Sequence, residues 1–125
     1  MAAYLHDDIL DAALNVIDSL TENLYICSAQ PTTFAEASST YKLGTKATPA
    51  ISVPENGDAS GRKVVVSAIT DGTVDATGTA TWIALTDDSE SKLLVAQELS
   101  SSQAVTISNT FTLTEFDITI PDPTA

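Results

Sequence analysis

The most reactive side chains in this chain are His6 and Cys27, its only histidine and its only cysteine. A thiol and an imidazole within hydrogen-bonding distance can form a nucleophilic pair, provided that the start of the chain meets the segment around Cys27. That segment, Leu24 to Ser28, is apolar, and a thiol in such a run is typically buried and unreactive. We therefore expect a solvated histidine and an inert thiol. A zinc site or a serine triad would need carboxylates for most of its groups.

Asp87, Asp88 and Glu90 are the densest group of possible metal ligands. Carboxylates suit calcium, but the Asp-x-Asp-x-Asp-Gly spacing of a calcium loop is absent, and charged turns between strands are usually only solvated. Carboxylate pairs for glycoside hydrolysis could be drawn from the seventeen acidic residues, but sugar-stacking aromatic residues are scarce. The sequence therefore predicts no catalytic residue, no cofactor, no metal and no small-molecule substrate.

A second kind of candidate is a set of basic residues in the middle of the chain. Residues 40–66 hold four of the five basic residues, and these are Lys42, Lys46, Arg62 and Lys63. They could be a scattered rim that improves solubility, or they could dock this segment on an acidic partner surface. Both interpretations stay open, because charge that is segregated along a sequence need not stay segregated after folding.

The overall charge limits the classes of partner. Seventeen acidic residues against five basic ones give a net charge of −12 and a pI near 4.1. Nucleic acid and anionic membrane surfaces would repel such a chain, so we expect neither as a partner. One cysteine allows no internal disulfide, and we recognise neither a signal peptide nor an apolar run long enough to span a membrane. These features are compatible with synthesis in a cytoplasm.

The elements that must position these residues begin with a helix. We expect one domain over residues 1–125, with an amphipathic helix within residues 1–22. The residues predicted to share its apolar face are Leu5, Ile9, Ala13, Val16, Ile17 and Leu20. Residues 23–61 are predicted to hold a short buried strand from Leu24, a short second helix near residues 34–39 that begins with the capping box of Thr33 and Glu36, and a long loop over Pro54 to Gly61.

Residues 62–121 are predicted to form an antiparallel β core. A hairpin turn at Asp71-Gly72 would make the strand around Val65 the neighbour of the strand that holds Trp82. The Trp82 strand should be packed on its even positions and wet on its odd ones, such as Thr79. Trp82 is the expected anchor of the fold, since burying an indole removes on the order of 200 Å² from water, worth up to about 5 kcal/mol.

Two irregularities are expected in the later strands. The triple serine at residues 100–102 should end one strand, and the change of apolar phase near Thr114-Glu115 should mark a β-bulge. Turn signals recur at short intervals after Arg62. The predicted fold class is therefore α+β, mainly β with an N-terminal helix, as an antiparallel β-sandwich or a jelly roll.

Four segments of the chain resemble a group of small proteins that tailed bacteriophages encode near their genes for virion structure. These segments are Tyr4 to Asn15, Leu24 to Ala37, Gly78 to Asp88, and Leu99 to Leu113 without residues 107 and 108. These segments are spread over most of the chain, from residue 4 to residue 113. The likeness is to virion components, most closely to head decoration, or cement, proteins.

This resemblance implies a non-enzymatic structural protein on the capsid exterior of a virion, made in the host cytoplasm. Its partners would be the major capsid protein and copies of itself in dimers or trimers, and its role would be to stabilise the head. The four basic residues Lys42, Lys46, Arg62 and Lys63 would be the candidate capsid contacts. The alternative is a minor tail or adsorption protein that binds a host surface glycan. A non-viral carbohydrate-binding module and a small acidic hydrolase are less favoured.

Overall fold

The computed structural model describes residues 4–123. The elements in this part of the chain are α1 (Asp7–Leu20), β1 (Asn23–Cys27), a π-helical turn (Glu36–Thr40), β2 (Lys42–Ala47), β3 (Glu55–Asn56), β4 (Arg62–Val66), β5 (Ile69–Val74), β6 (Gly78–Asp87), β7 (Lys92–Val105), β8 (Thr110–Leu113) and β9 (Phe116–Ile120). Neighbouring strands are antiparallel. The predicted class, mainly β with an N-terminal helix, is confirmed.

The strands are divided between two sheets, and the chain is divided between two compact units. Within the described residues, the first unit contains residues 4–19, which include α1 except its last residue Leu20, residues 50–68 and the end of the chain from residue 114. The second unit contains residues 20–49 and 69–113. The expectation of a single domain over residues 1–125 stays a prediction. Its first three and last two residues lie outside the described part.

The second unit is a six-stranded sheet in the order β7-β6-β1-β2-β5-β8. Its opposed pairs between β1 and β6 include Leu24–Leu85, Tyr25–Ala84, Ile26–Ile83 and Cys27–Trp82. Successive pairs lie on opposite faces of the sheet. β6 is buried without interruption from Ile83 to Asp87, where each residue is at most 4 % exposed. The expectation of one wet face therefore holds at Thr79, which is exposed, but is wrong for the second half of the strand.

Phe111 of β8 is packed against a glycine of β5, the neighbour of β8, and a glycine of β2, the strand beyond β5. It lies opposite Gly72 of β5, and a Cβ atom added at Gly72 would come within 2.3 Å of its ring. A Cβ atom at Gly44 of β2 would lie 3.0 Å from the same ring and 2.7 Å from the carbonyl oxygen of Thr73. The absence of side chains lets the ring lie close to the backbone. Phe111 is 2 % exposed, so this packing fills the end of the sheet.

The predicted hairpin turn at Asp71-Gly72 is wrong. Both residues lie inside β5, and Gly72 is needed for the close approach of Phe111 rather than for a turn. β4 pairs with β3 and β9, whereas β6 pairs with β1 and β7, so the strand around Val65 and the Trp82 strand are not neighbours. In a sequence, a glycine after an aspartate predicts a tight turn. Here Gly72 instead leaves room in a strand for the ring of Phe111, which only the structure shows.

Both irregularities in the later strands have a different form from the one predicted. β7 continues through Ser100–Ser102 instead of ending there. Ala80 lies opposite Gln103 and Trp82 lies opposite Glu98, so the serines between Glu98 and Gln103 form a bulge in β7. At Thr114-Glu115 the chain leaves the six-stranded sheet after β8 and enters the three-stranded sheet as β9. A change of sheet and a β-bulge produce the same shift in the alternation of apolar and polar residues, since both reverse which residues face the core.

The first unit holds the three-stranded sheet β3-β4-β9 and α1. The loop-like stretch Pro54 to Gly61 is the β3–β4 hairpin, in which Gly57 N donates a hydrogen bond to the carbonyl oxygen of Gly61 at 2.9 Å. Gly61 has φ of 71°, a left-handed conformation that favours glycine. β9 ends at Ile120, directly before Pro121.

Helix α1 begins after His6, whose Nδ1 accepts a hydrogen bond from the N–H of Asp8 at 3.0 Å. Its fully buried residues are Leu10 and Leu14. The predicted apolar face is wrong for most of its members, because Leu5, Ile9, Ala13, Val16 and Leu20 are exposed and only Ile17 is half-buried. Apolar residues cover a broad arc of this helix, and their period alone does not show which part of the arc meets the core.

The second helix is confirmed as a short turn of helix, at residues 34–40. Thr33 Oγ1 accepts a hydrogen bond from the N–H of Glu36 at 3.1 Å, which is one half of the predicted capping box. Glu36 Oε1 instead accepts from the N–H and the hydroxyl of Thr32, at 2.9 and 2.7 Å. The turn ends with a bond from Tyr41 N to the carbonyl oxygen of Glu36, and the wider i+5 spacing makes it π-helical.

We predict that Gly72→Ala destabilises the protein by about 1–3 kcal/mol, because a methyl group has no room beneath Phe111. Gly78→Ala is the matched control, since its Cβ would meet only the flexible end of Leu43, at 2.9 Å. Urea unfolding of the two variants and the parent protein measures both effects. Equal midpoints for the two variants would show that the ring does not restrict this position.

Candidate functional site

The densest group of interacting polar side chains in the second unit lies where β6 turns into β7. We call Glu22, Asp87 and Asp88 the carboxylate cluster. Asp87 ends β6, and Glu22 is the residue before β1, whose first residue lies opposite Thr86. Glu22 N donates to the carbonyl oxygen of Thr86 at 2.8 Å, and the N–H of Ser89 donates to Glu22 Oε1 at 2.7 Å. Strand pairing thus brings together residues that are far apart in the sequence.

Asp88 accepts two short hydrogen bonds from hydroxyl groups. The donors are Tyr25 at 2.5 Å and Thr86 at 2.6 Å. Burial alone would raise the pKa of Asp88, but these two bonds, together with a bond from Asn23 and the charge of Lys42, outweigh it and lower the pKa. Burial and the bond to Asp88 raise the pKa of Tyr25. The result is an ionised carboxylate held against a protonated phenol.

Asp87 and Glu22 titrate as a pair. The carboxyl group of Asp87, which is 4 % exposed, hydrogen-bonds to that of Glu22, and this bond together with burial raises the pKa of Asp87. The pKa of Glu22 is lowered, mainly because the backbone N–H of Ser89 donates to it. Of the two carboxyl groups, Asp87 is therefore the one that is protonated more easily.

Such a pair could act as an acid beside a base. The groups that hydrogen-bond to it, however, are other residues of the same chain. The residues that hydrogen-bond to the carboxyl groups of the cluster include Asn23, Tyr25, Thr86, Ser89 and Glu90. Among the described residues, no group of three histidine, cysteine or acidic side chains has an arrangement that could hold a metal ion. The cluster is best described as an internal hydrogen-bond network that closes the β6–β7 turn.

The predicted contact residues Lys42 and Lys46 lie on β2, in the second unit, and face acidic residues of β5 and its following turn. Lys46 Nζ is 3.0 Å from Asp71, and Lys42 Nζ is 3.6 Å from Asp75 and 5.8 Å from the centre of the Tyr25 ring. The side chain of Lys42 is 32 % exposed and that of Lys46 is 27 % exposed. Both keep some access to solvent, but their charge is matched within the sheet.

The other two predicted contact residues, Arg62 and Lys63, lie on β4 in the first unit. Arg62 makes a two-point contact with Asp11 of α1, from Nε at 2.7 Å and Nη2 at 3.3 Å. Lys63 Nζ lies 2.7 Å from Asp58 and 3.0 Å from Asp117, and these contacts raise its pKa. Their side chains are only 17 % and 13 % exposed. Their first role is to join elements of their own unit.

Trp82, the predicted anchor, is partly buried at the border of a small cluster in the second unit. The buried members of this cluster are Tyr25, Cys27, Ala37 and Ala84. The Cys27 thiol donates to the carbonyl oxygen of Ala37 at 3.7 Å, and burial raises its pKa to about 12. Cys27 is therefore an inert core thiol, as the sequence predicts, and His6 is an exposed helix cap.

Sequence reasoning missed Glu22, Tyr25 and the outer surface of α1. No local pattern marks Glu22, because its partners become neighbours only through the pairing of β1 with β6. We call Ile9, Ala13, Val16 and Leu20 the exposed stripe. Ile9 is 58 %, Val16 50 % and Leu20 37 % exposed. The helical spacing of these four residues is visible in the sequence, but it predicts a face that packs on the core rather than an exposed one.

Comparisons with protein-family models, with curated proteins and with solved structures found no match to this chain. Within residues 4–123, no helix combines the length and the apolar character needed to cross a membrane.

We predict that Asp87→Asn raises the melting temperature at neutral pH. The pKa of Asp87 is raised in the folded protein, so its stabilising contribution is complete at low pH and is lost as the pH rises through that pKa. Asparagine keeps a donor to Glu22 at every pH. The gain should therefore shrink as the pH falls toward 4, which thermal unfolding across that range measures.

Asp88→Asn is the control with the opposite sign. The pKa of Asp88 is lowered, so the stabilisation that its charge contributes is present at neutral pH and is lost in acid. Its asparagine variant should melt below the parent protein at neutral pH, and the two should converge as the pH falls. If Asp87→Asn also lowers the melting temperature at neutral pH, the pKa of Asp87 is not raised in the folded protein.

Proposed function

We propose that this protein is a non-enzymatic structural component of a tailed-bacteriophage virion, most specifically a decoration protein. It binds the outside of the shell formed by the major capsid protein and stabilises the head. The proposal rests on the resemblance of the four sequence segments, together with the way in which the chain uses its polar groups.

The observation that carries the proposal is that the reactive and the basic side chains are engaged within the chain. The thiol of Cys27 is buried, the carboxylate cluster is hydrogen-bonded internally, and the basic residues of β2 and β4 face the chain's own carboxylates. What the described residues present outward is an acidic surface with exposed apolar residues on α1. A surface of this kind suits contact with another protein rather than a reaction.

Charge and mass action give this role a physical basis. A net charge of −12 keeps neighbouring copies from adhering to one another in solution. A copy that binds the assembled shell and not its separated subunits stabilises the shell by mass action, by about 2.7 kcal/mol per site at a free concentration one hundred times Kd. Many weakly cooperating sites would then add up to a large effect on the particle.

The four basic residues remain candidate capsid contacts within this proposal, but they differ in how easily each could leave its partner in the chain. Lys42 and Lys46 are about 30 % exposed and pair with surface carboxylates, so they can exchange these partners at small cost. Arg62 and Lys63 are more deeply placed, and moving them would break contacts inside the first unit. A capsid contact through Lys42 and Lys46 is therefore the favoured form of the earlier expectation.

We predict that particles lacking the protein release their genome at a lower temperature than particles carrying it. The experiment compares purified particles, with and without the gene product, by genome release during heating, and restores the protein by adding it back. Band intensities on a stained gel give its copy number relative to the major capsid protein. A decoration protein is present in amounts comparable with that protein, whereas a tail or adsorption protein is present in few copies.

Equal heat resistance of the two kinds of particle would contradict a stabilising role. A copy number far below that of the major capsid protein would contradict decoration and favour the tail.

A further inference from the structure

We propose that Asn56 is a site of spontaneous deamidation, and that the β3–β4 hairpin keeps this reaction slow for as long as the hairpin stays closed. The reaction replaces the side-chain amide by a carboxylate and consumes only water. This inference concerns a covalent modification that the proposed function does not assign. It does not depend on the protein being a virion component.

The dipeptide Asn56-Gly57 has the sequence in which asparagine, a chemically labile residue, reacts most readily. The backbone nitrogen of the glycine attacks the side-chain carbonyl carbon, and its proton leaves with the amide nitrogen as ammonia while a cyclic imide forms. Water then opens the imide at either carbonyl group, which gives aspartate or isoaspartate. Glycine has no side chain to obstruct the attack, whereas Asn15, Asn23 and Asn109 are followed by valine, leucine and threonine.

The hairpin itself requires a glycine at position 57. A Cβ atom added there would lie 2.1 Å from the carbonyl oxygen of Ser60 and 3.3 Å from that of Gly61. These are backbone atoms, which cannot move aside as the end of a flexible side chain can, so a larger residue would open the turn. The fold therefore retains at position 57 the residue type that makes Asn56 reactive.

The closed hairpin opposes the attack at each of the reacting groups. Gly57 N donates its hydrogen bond to the carbonyl oxygen of Gly61 at 2.9 Å, and a hydrogen-bonded N–H loses its proton slowly. Asn56 Oδ1 accepts a hydrogen bond from Arg62 Nη1 at 2.7 Å, which fixes the side-chain amide. Asn56 is also paired with Arg62 in the ladder, so rotating its backbone toward the imide geometry would break the end of β3.

Arg62 is itself held in place, which makes it an effective restraint on the amide of Asn56. Its Nε and Nη2 donate to Asp11 at 2.7 and 3.3 Å, which leaves Nη1 directed at Asn56. The rigid fork of a guanidinium restricts the orientation of the groups that it binds. The same Nη1 could donate to an aspartate at position 56, whereas isoaspartate would lengthen the backbone by a carbon atom and disrupt the pairing with Arg62.

Deamidation therefore proceeds from molecules in which the hairpin has opened. β3 is an edge strand of only two residues, and residues 58–60 of the connecting turn are exposed. Short, exposed segments of this kind open more often than buried strands. When opening and closing are fast, the reaction rate in the folded protein equals the rate in the open chain multiplied by the fraction of open molecules. Each reacted molecule carries one additional negative charge.

The test incubates the full chain at mildly alkaline pH, once in buffer and once in concentrated guanidinium chloride. Peptide mass spectrometry then measures the conversion of Asn56 to aspartate and isoaspartate over time. We expect Asn56 to react at least about tenfold faster in guanidinium chloride, because the denaturant opens the hairpin. Asn23 and Asn109 are internal controls, which should react much more slowly than Asn56 in the denaturant.

Variants separate the effect of the fold from that of the sequence. Arg62→Lys should speed the reaction of Asn56 in buffer by about threefold or more, because lysine lacks the planar fork, and should leave the rate in guanidinium chloride unchanged. Lys46→Arg, an equally conservative exchange in the second unit, should change neither rate. Gly57→Ala should slow the reaction in guanidinium chloride, where folding has no influence. Circular dichroism and melting temperature establish that Arg62→Lys and Lys46→Arg are folded.

Each part of the inference has an outcome that would overturn it. Absence of deamidation at Asn56 in guanidinium chloride would show that the site is unreactive, and equal rates in the two solutions would show that the hairpin gives no protection. An unchanged rate for Gly57→Ala in the denaturant would contradict attack by the backbone nitrogen of residue 57. An unchanged rate for folded Arg62→Lys in buffer would contradict the restraint by Arg62.

Discussion

The insertion of β1 between β6 and β2 is the constraint on which the second unit depends. From Leu24 to Cys27 every residue of β1 is at most 6 % exposed, so this short strand is packed on both faces and hydrogen-bonded on both edges. Each fully buried leucine or isoleucine contributes about 1.5–3 kcal/mol relative to an exposed one. The same pairing places Glu22 beside the β6–β7 turn and Cys27 opposite Trp82. The carboxylate cluster and the buried cluster of Tyr25 and Cys27 therefore both depend on the pairing of β1 with β6.

Charge pairing has a comparable role in the first unit. The contact of Arg62 with Asp11 joins β4 to α1, and Lys63 joins β4 to β9 through Asp117. Ion pairs at a surface usually contribute little, but a two-point arginine contact also restricts orientation. The orientation matters here because it determines which part of a broad apolar arc faces the core. Leu10 and Leu14 are buried, and Ile9 and Val16 stay exposed.

Local patterns in the sequence predicted those features that neighbouring residues decide. The helix near the N-terminus, the buried strand from Leu24, the turn of helix after Thr33 and the inert thiol of Cys27 all depend on short-range spacing or on a run of apolar residues. Wrong interpretations arose where one pattern has two physical causes. Asp71-Gly72 resembles a turn but provides space for Phe111, and the slip at Thr114-Glu115 resembles a bulge but is a change of sheet.

The sequence by itself determined the class of the fold, the net charge of −12 and the alternation of apolar residues that places strands and a helix along the chain. The tertiary structure alone decided strand order, the partner of each basic residue and the outward direction of the stripe on α1. The reason is that periodicity and composition act over a few residues. Strand pairing and ion pairing instead join residues such as Glu22 and Ser89, or Asp11 and Arg62, whose separation along the chain carries no signal of their contact.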